Sequence, residues 1–186
     1  MTLPVSQQGA SAHGDVVGRD KIEHYHPASA SPGVVQQLLE KLQAEIDKNE
    51  KVRHTVEALA HFQSRRSHDG IDGLEAKLKA GHRTDEYLSA LEKKELFAKL
   101  LEKWSLYASA QEIFAFLLAK AEYEFNYFIY PQIVELDQIG VNQLLNDRII
   151  IPTIADCGSR VFVLNHSVAM GMVYWLAEQC FVRWHQ

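Results

Sequence analysis

Ser109-Ala110-Gln111-Glu112 stands directly before Ile113-Phe114-Ala115-Phe116-Leu117-Leu118, and the apolar character continues through Tyr123-Glu124-Phe125-Asn126-Tyr127-Phe128-Ile129-Tyr130 to Pro131. A Ser followed three residues later by Glu, at the head of an apolar run, is the pattern of a capping box and predicts a helix opening at Ser109. Ile113, Phe114, Phe116, Leu117, Leu118, Phe125 and Phe128 predict a broad buried face on it. Pro131 lacks an N–H and clashes with the preceding turn, so the helix should kink or stop there. Aromatic residues fall on nearly every side of the stretch 123–130. It is therefore either the central core helix of a small α domain or a helix with an aromatic face turned to a partner.

Working outward, the flanking segments carry helical signals. Leu74 to Lys79 reads as a short helix with Gly81 as its C′ residue. Thr84 can cap the next helix, with Asp85 and Glu86 in its first turn and Tyr87, Leu88, Leu91, Leu96, Leu100 and Leu101 along it. Toward the C-terminus, Val141 to Asn146 suggests a short helix and Val168 to Gln179 a longer one. Arg148 to Pro152 is β-branched and then stops, Val161 to Leu164 suggests a short strand, and Cys180 to Trp184 a terminal extended piece. The fold class expected is mainly α: residues 67–186 form a helical interaction domain with a small β element.

Before it, Val35, Leu38, Leu42, Val52, Val56 and Leu59 fall on the a and d positions of a seven-residue repeat. Asn49 shares that seam and can fix register, while Glu45 should break the seam near residues 45–50. Residues 33–66 are thus an oligomerising coiled coil, or one or two amphipathic helices lying on the C-terminal domain. Residues 1–32 read as a flexible tail, closed by the linker Pro27-Ala28-Ser29-Ala30-Ser31-Pro32. Within it lies Gly14-Asp15-Val16-Val17-Gly18-Arg19-Asp20-Lys21, followed by Ile22 and Tyr25. β-Branched residues between glycines suggest short extended pieces over 14–25. A piece this small cannot bury its own apolar face, so it should pair with another copy or a partner. Gly14, Asp15, Val16, Val17, Gly18, Asp20 and Lys21 are the candidate oligomerisation residues there.

The chain has 186 residues, 47% hydrophobic and 23% charged, which suits one soluble globular domain with a short appendage. A formal charge of −5 excludes a globally basic nucleic-acid binder. Two cysteines exclude a disulfide-dense secreted scaffold, and Cys157 and Cys180 read as small buried hydrophobes. No secretory signal and no apolar run long enough to cross a membrane is present, so the expected location is the cytoplasm. There is no Walker A loop and no Gly-x-Ser-x-Gly elbow. His24 and His26 lack further ligands for a metal. Glu75-Ala76-Lys77 and Glu92-Lys93-Lys94 each match half of a metal-dependent nuclease site, without the second carboxylate that such a site needs. Arg65 with Arg66, and the stripe Lys93, Lys94, Lys99 and Lys103, alternate with acidic residues and read as solvated faces. No cofactor and no direct nucleic-acid site is expected.

An ordered series then carries a resemblance. It comprises Leu74-Glu75-Ala76-Lys77-Leu78 with Gly81-His82-Arg83, Ala90 to Phe97, Ser109 to Glu112, Pro131-Gln132-Ile133 and Arg148 to Pro152. It closes on Gly171-Met172-Val173-Tyr174-Trp175-Leu176 and Cys180-Phe181-Val182-Arg183-Trp184. This resembles the C-terminal domain of subunits in bacterial ABC-three-component conflict systems, relatives of the Lamassu antiphage systems. The motif at 14–21 is similar to a short element found in many bacterial conflict proteins. Where the family is expected to carry a His after the signature Cys, this chain has Phe181. The resemblance implies a non-enzymatic adaptor, docking on an SMC-like ABC ATPase or a middle component, with a possible separate effector chain; a homo-oligomeric state is expected from the tail motif and the heptad seam. Gly171, Met172, Tyr174, Trp175, Cys180, Arg183 and Trp184 are the family's signature residues and the candidates for partner docking. The alternative is a small metal-dependent nuclease or other toxin using His24, His26, Glu75 or Lys77.

Overall fold

The computed structural model describes residues 33–66, 70–158 and 161–185. Eight α-helices occur among them: α1 (Val34–Asp47), α2 (Glu57–Gln63), α3 (Gly73–Ala80), α4 (Tyr87–Trp104), α5 (Ala108–Glu124), α6 (Gln138–Leu145), α7 (Ile151–Cys157) and α8 (His166–Glu178). The fold is mainly α, as the patterning predicts.

Helices α5 and α8 form its centre. Along α8 nearly every residue from Val168 to Ala177 is buried, as an all-round apolar helix must be. It packs along α4 through Phe97 and Trp175, whose rings stand edge to face at 6.0 Å. On the other side of the core α5 buries Ile113, Phe114, Leu117 and Leu118. Phe162, from the irregular segment before α8, closes against Phe114 at 5.1 Å and Trp104 at 5.3 Å. Cys157 and Cys180 are both free and buried, and desolvation pushes the Cys157 thiol up to about 12.

The aromatic stretch divides between its two readings. The chain leaves α5 through a π-helical turn, Phe125–Ile129, then a 3-10 turn, Tyr130–Gln132, holding Pro131. Phe125 and Ile129 point into the core, while Tyr123 and Tyr127 are 53% and 67% exposed and stack on each other at 4.8 Å.

Three expectations are corrected. First, there is no strand among the described residues. Arg148 to Pro152 continues α6 through a second π-helical turn into α7, with Ile149 and Ile150 buried and the π-helical turn ending just before Pro152, which has no N–H to donate back into the helix. Val161 to Leu164 does alternate, Phe162 and Leu164 in and Val163 out, but no neighbouring strand pairs with it. Alternation alone does not make a sheet without a ladder.

Second, residues 33–66 are not one long helix. α1 ends at Asp47, and Asn49 takes a left-handed backbone conformation just beyond it. Asn tolerates that conformation better than most residues, so its role is to end the helix and not to set register in a seam. Val35, Leu39 and Leu42 are buried where α1 packs on α5, and Leu59 carries α2 onto the same helix. Leu38, Val52 and Val56 are half-buried along the way. The seam is thus filled by the chain's own core, in the arrangement of two amphipathic helices lying on the domain.

Third, Ser109 does not cap α5. The cap position is Tyr107, and Ser109 is a buried second residue of the helix. Its N–H and hydroxyl both donate to the Glu45 carboxylate of α1, at 3.2 and 2.7 Å. Gln111 accepts from the Val56 N–H at 2.6 Å and donates to the carbonyls of His54 and Ser105. The residues that pattern as a local cap fasten α5 to the segment before it.

The motif at 14–25, His24 and His26 lie outside the described residues.

Candidate functional site

The signature residues come together, but as a core. Met172, Tyr174, Trp175, Cys180 and Trp184 are all buried. Gly171 marks the closest approach of α8 to α4: a Cβ there would overlap the backbone carbonyl of Lys93. Gly81 plays the same part at the C-terminus, since a Cβ would lie 2.6 Å from the Trp184 carbonyl oxygen. Its backbone is not left-handed, and the positive φ falls on the next residue, His82. So Gly81 is needed for packing and not for the turn.

Phe181 joins this core. It lies against Phe62 of α2 at 4.9 Å, with the Arg66 guanidinium over its ring at 4.1 Å. Arg183 stands over Tyr130 at 5.1 Å and is half-buried. The docking signature therefore offers little surface of its own, and its side chains shape what lies around them.

Beside them, with Tyr174 in its lining, is a cleft of about 330 Å³ between the start of α4, the α6–α7 segment and α8. Glu86, Ser89 and Lys93 line one wall. Asn142 and Asn146 line the second, and His166, Ser167 and Tyr174 the third. Leu145, Ile150 and Met170 make its apolar part.

One network holds the walls in place. Arg83, 4% exposed, donates from Nε and Nη2 to the two oxygens of Glu86 at 3.0 and 2.8 Å, and from Nη2 to Asn142 Oδ1. Gln138 Nε2 also donates to Glu86, and so does the Tyr174 hydroxyl at 3.3 Å. The Arg83 guanidinium rests over the Trp184 ring at 4.7 Å. Burial, then the Glu86 charge, holds the Tyr174 phenol well above its usual range, so it stays a proton donor. A fork-on-carboxylate pair with every remaining lone pair engaged can tolerate burial that an isolated charge cannot.

Lys93 differs from Glu86. Its ammonium donates to Ser89 Oγ at 2.7 Å, and among the described residues no carboxylate pairs with it. The cleft thus presents a cation, hydroxyls and primary amides around an apolar floor. Such a set can hold an anionic group by charge-assisted hydrogen bonds.

The other sequence-derived candidates do not converge. Glu75 is exposed on α3, whereas Lys77 is 1% exposed and its Nζ donates to the Val182 carbonyl at 3.2 Å, tying down the C-terminal segment. Among the described residues no group of three or more His, Cys, Asp and Glu could hold a metal ion. No helix among them is long and apolar enough to cross a membrane. The sequence reading missed the joint role of Arg83, Glu86 and Asn142. Its only local signal was the Arg83-x-x-Glu86 spacing, which puts both groups on one side of a helical turn.

The family model for C-terminal domain 9 (CTD9) of the ABC-three component (ABC-3C) systems matches residues 73–184, from the first residue of α3 to Trp184. No curated protein and no solved structure matches the chain.

Proposed function

This chain belongs to the CTD9 family of ABC-three component systems, and from that premise we propose that it is a non-catalytic adaptor subunit of an antiphage system. In this reading residues 73–184 dock on an SMC-like ABC ATPase or on the middle component, in the cytoplasm. The carrying observation is that the match spans the whole helical unit from α3 onward. The buried signature supports the reading: residues given over to packing hold a fixed surface for a partner, and a preorganised surface loses less entropy on binding. Self-association is assigned to the motif at 14–25, because the alternative seam over 35–59 is taken up by the chain's own core.

The test is co-expression with the neighbouring genes, purification by a tag on this chain, and mass by light scattering. A stable complex holding an SMC-like ATPase or a middle component is the expected result. A chain that purifies alone, and degrades DNA with Mg²⁺, would overturn the adaptor in favour of a nuclease.

A further inference from the structure

The adaptor reading leaves open what part of a partner the chain grips. We infer that the cleft between α4, the α6–α7 segment and α8 receives an Asp or Glu side chain of the partner polypeptide, with Lys93 as its counter-ion. The inference rests on the docking reading and names the chemistry of its contact.

The argument starts from the charges that face the cleft. Glu86 accepts from Arg83, Gln138 and Tyr174, so its negative charge is already matched within the wall. Among the described residues Lys93 has only a neutral hydroxyl, Ser89 Oγ. The lining therefore carries one half-buried cation unmatched by a carboxylate among the described residues, at the edge of an open cleft. Charge complementarity selects an anionic occupant.

Size and lining narrow it further. About 330 Å³ takes one or two side chains, not a folded element. Asn142 accepts from Arg83 through Oδ1 and Asn146 donates to Asp147 from Nδ2, so Asn142 offers its amide N–H groups to a main-chain carbonyl and Asn146 its Oδ1 to a main-chain N–H beside the carboxylate. Leu145, Ile150 and Met170 offer an apolar neighbour somewhere to pack. These features favour a residue within a polypeptide over a small free anion.

Placement ties this to the family signature. Lys93 sits where α4 meets Gly171 of α8, and only a residue without a Cβ allows that approach. Tyr174, one turn further along α8, holds Glu86. Of the signature residues Gly171 sets the helix approach beneath the cleft and Tyr174 stands in its wall.

The test uses the full chain co-expressed with its system partners. Tagged wild type, Lys93→Glu, Lys93→Gln and Asn146→Asp are compared with Lys103→Glu. That control makes the same charge change further along α4, at a residue that is exposed and lies over the Trp104 ring at 5.4 Å. Bound partner is quantified at 50, 150 and 500 mM NaCl, and folding is checked by thermal melting. Expected is a loss of about tenfold or more for Lys93→Glu at 150 mM, less for Lys93→Gln, and a wild-type salt dependence that both variants flatten. Asn146→Asp should also weaken capture without touching Lys93, and Lys103→Glu should not. Partner capture by folded Lys93→Glu and Asn146→Asp equal to wild type at every salt overturns the inference while leaving the adaptor standing. The same result with millimolar binding of free glutamate or phosphate by the wild-type chain marks a small-anion site instead. If the wild type captures no component of its system, the adaptor reading fails first, and this inference with it.

Discussion

At Gly171 the absence of one methyl group sets how closely two helices meet. The Lys93 carbonyl occupies the space a Cβ would need, and Phe97 Cβ stands 3.2 Å from the same point. A carbonyl in mid-helix cannot swing aside as a side chain can, so the helices must part. Gly171→Ala should therefore lower stability by about 2–3 kcal/mol, the upper part of the range for overpacking. Chemical denaturation followed by circular dichroism would measure it, and an unchanged midpoint would contradict the close crossing. The same glycine was legible in the sequence only as part of a family resemblance. Nothing in its neighbours, Met170 and Met172, announces a helix crossing, since glycine in a helix usually costs stability. Phe181 is a second case. Its departure from the expected His weakens any metal or polar role at that point, and in the structure Phe181 has a partner ring in Phe62 and a cation in Arg66.

Helix termini show where local reading stops. Two helices take carboxylates from other helices at their N-termini. Glu45 of α1 accepts from Ser109 in the first turn of α5, and Glu178 at the end of α8 accepts from the Leu74 N–H in the first turn of α3 at 2.9 Å. In each case a negative charge meets the positive end of a helix and satisfies an orphan donor. Local patterns made Glu45 a fault in a coiled-coil seam and Ser109 the cap itself. Both residues were conspicuous, but the bond between them spans 64 positions, which no window of seven or fifteen residues can see. Glu45→Ala removes the acceptor from a buried N–H and a buried hydroxyl, and should cost about 1–3 kcal/mol. Glu45→Gln, which retains an acceptor oxygen, should cost less. Equal midpoints for wild type and Glu45→Ala in a denaturant titration would mean that α1 is not seated on α5 in solution.

For the molecule as a whole, the assignment of self-association to residues 14–25 is open to a direct mass measurement. Deleting residues 1–32 should leave a folded monomer by light scattering, because Val35, Leu42 and Leu59 remain buried inside the chain. An oligomer that survives the deletion would place the contact elsewhere, with the exposed pair Tyr123 and Tyr127 the first place to look. The sequence by itself determined the helical class, the positions of most helices, the break near residues 45–50 and the family. These follow from local periodicity, helix-ending residues and motif order, which are properties of short stretches. Only the tertiary structure decided that the heptad residues face α5, that Arg148 to Pro152 is helical, and that the signature is packing. It alone brought Glu86, Lys93, Asn142 and Tyr174 around one cleft. Which apolar face meets which partner depends on the competition among all buried surfaces at once, and the hydrophobic effect that drives it has no direction of its own.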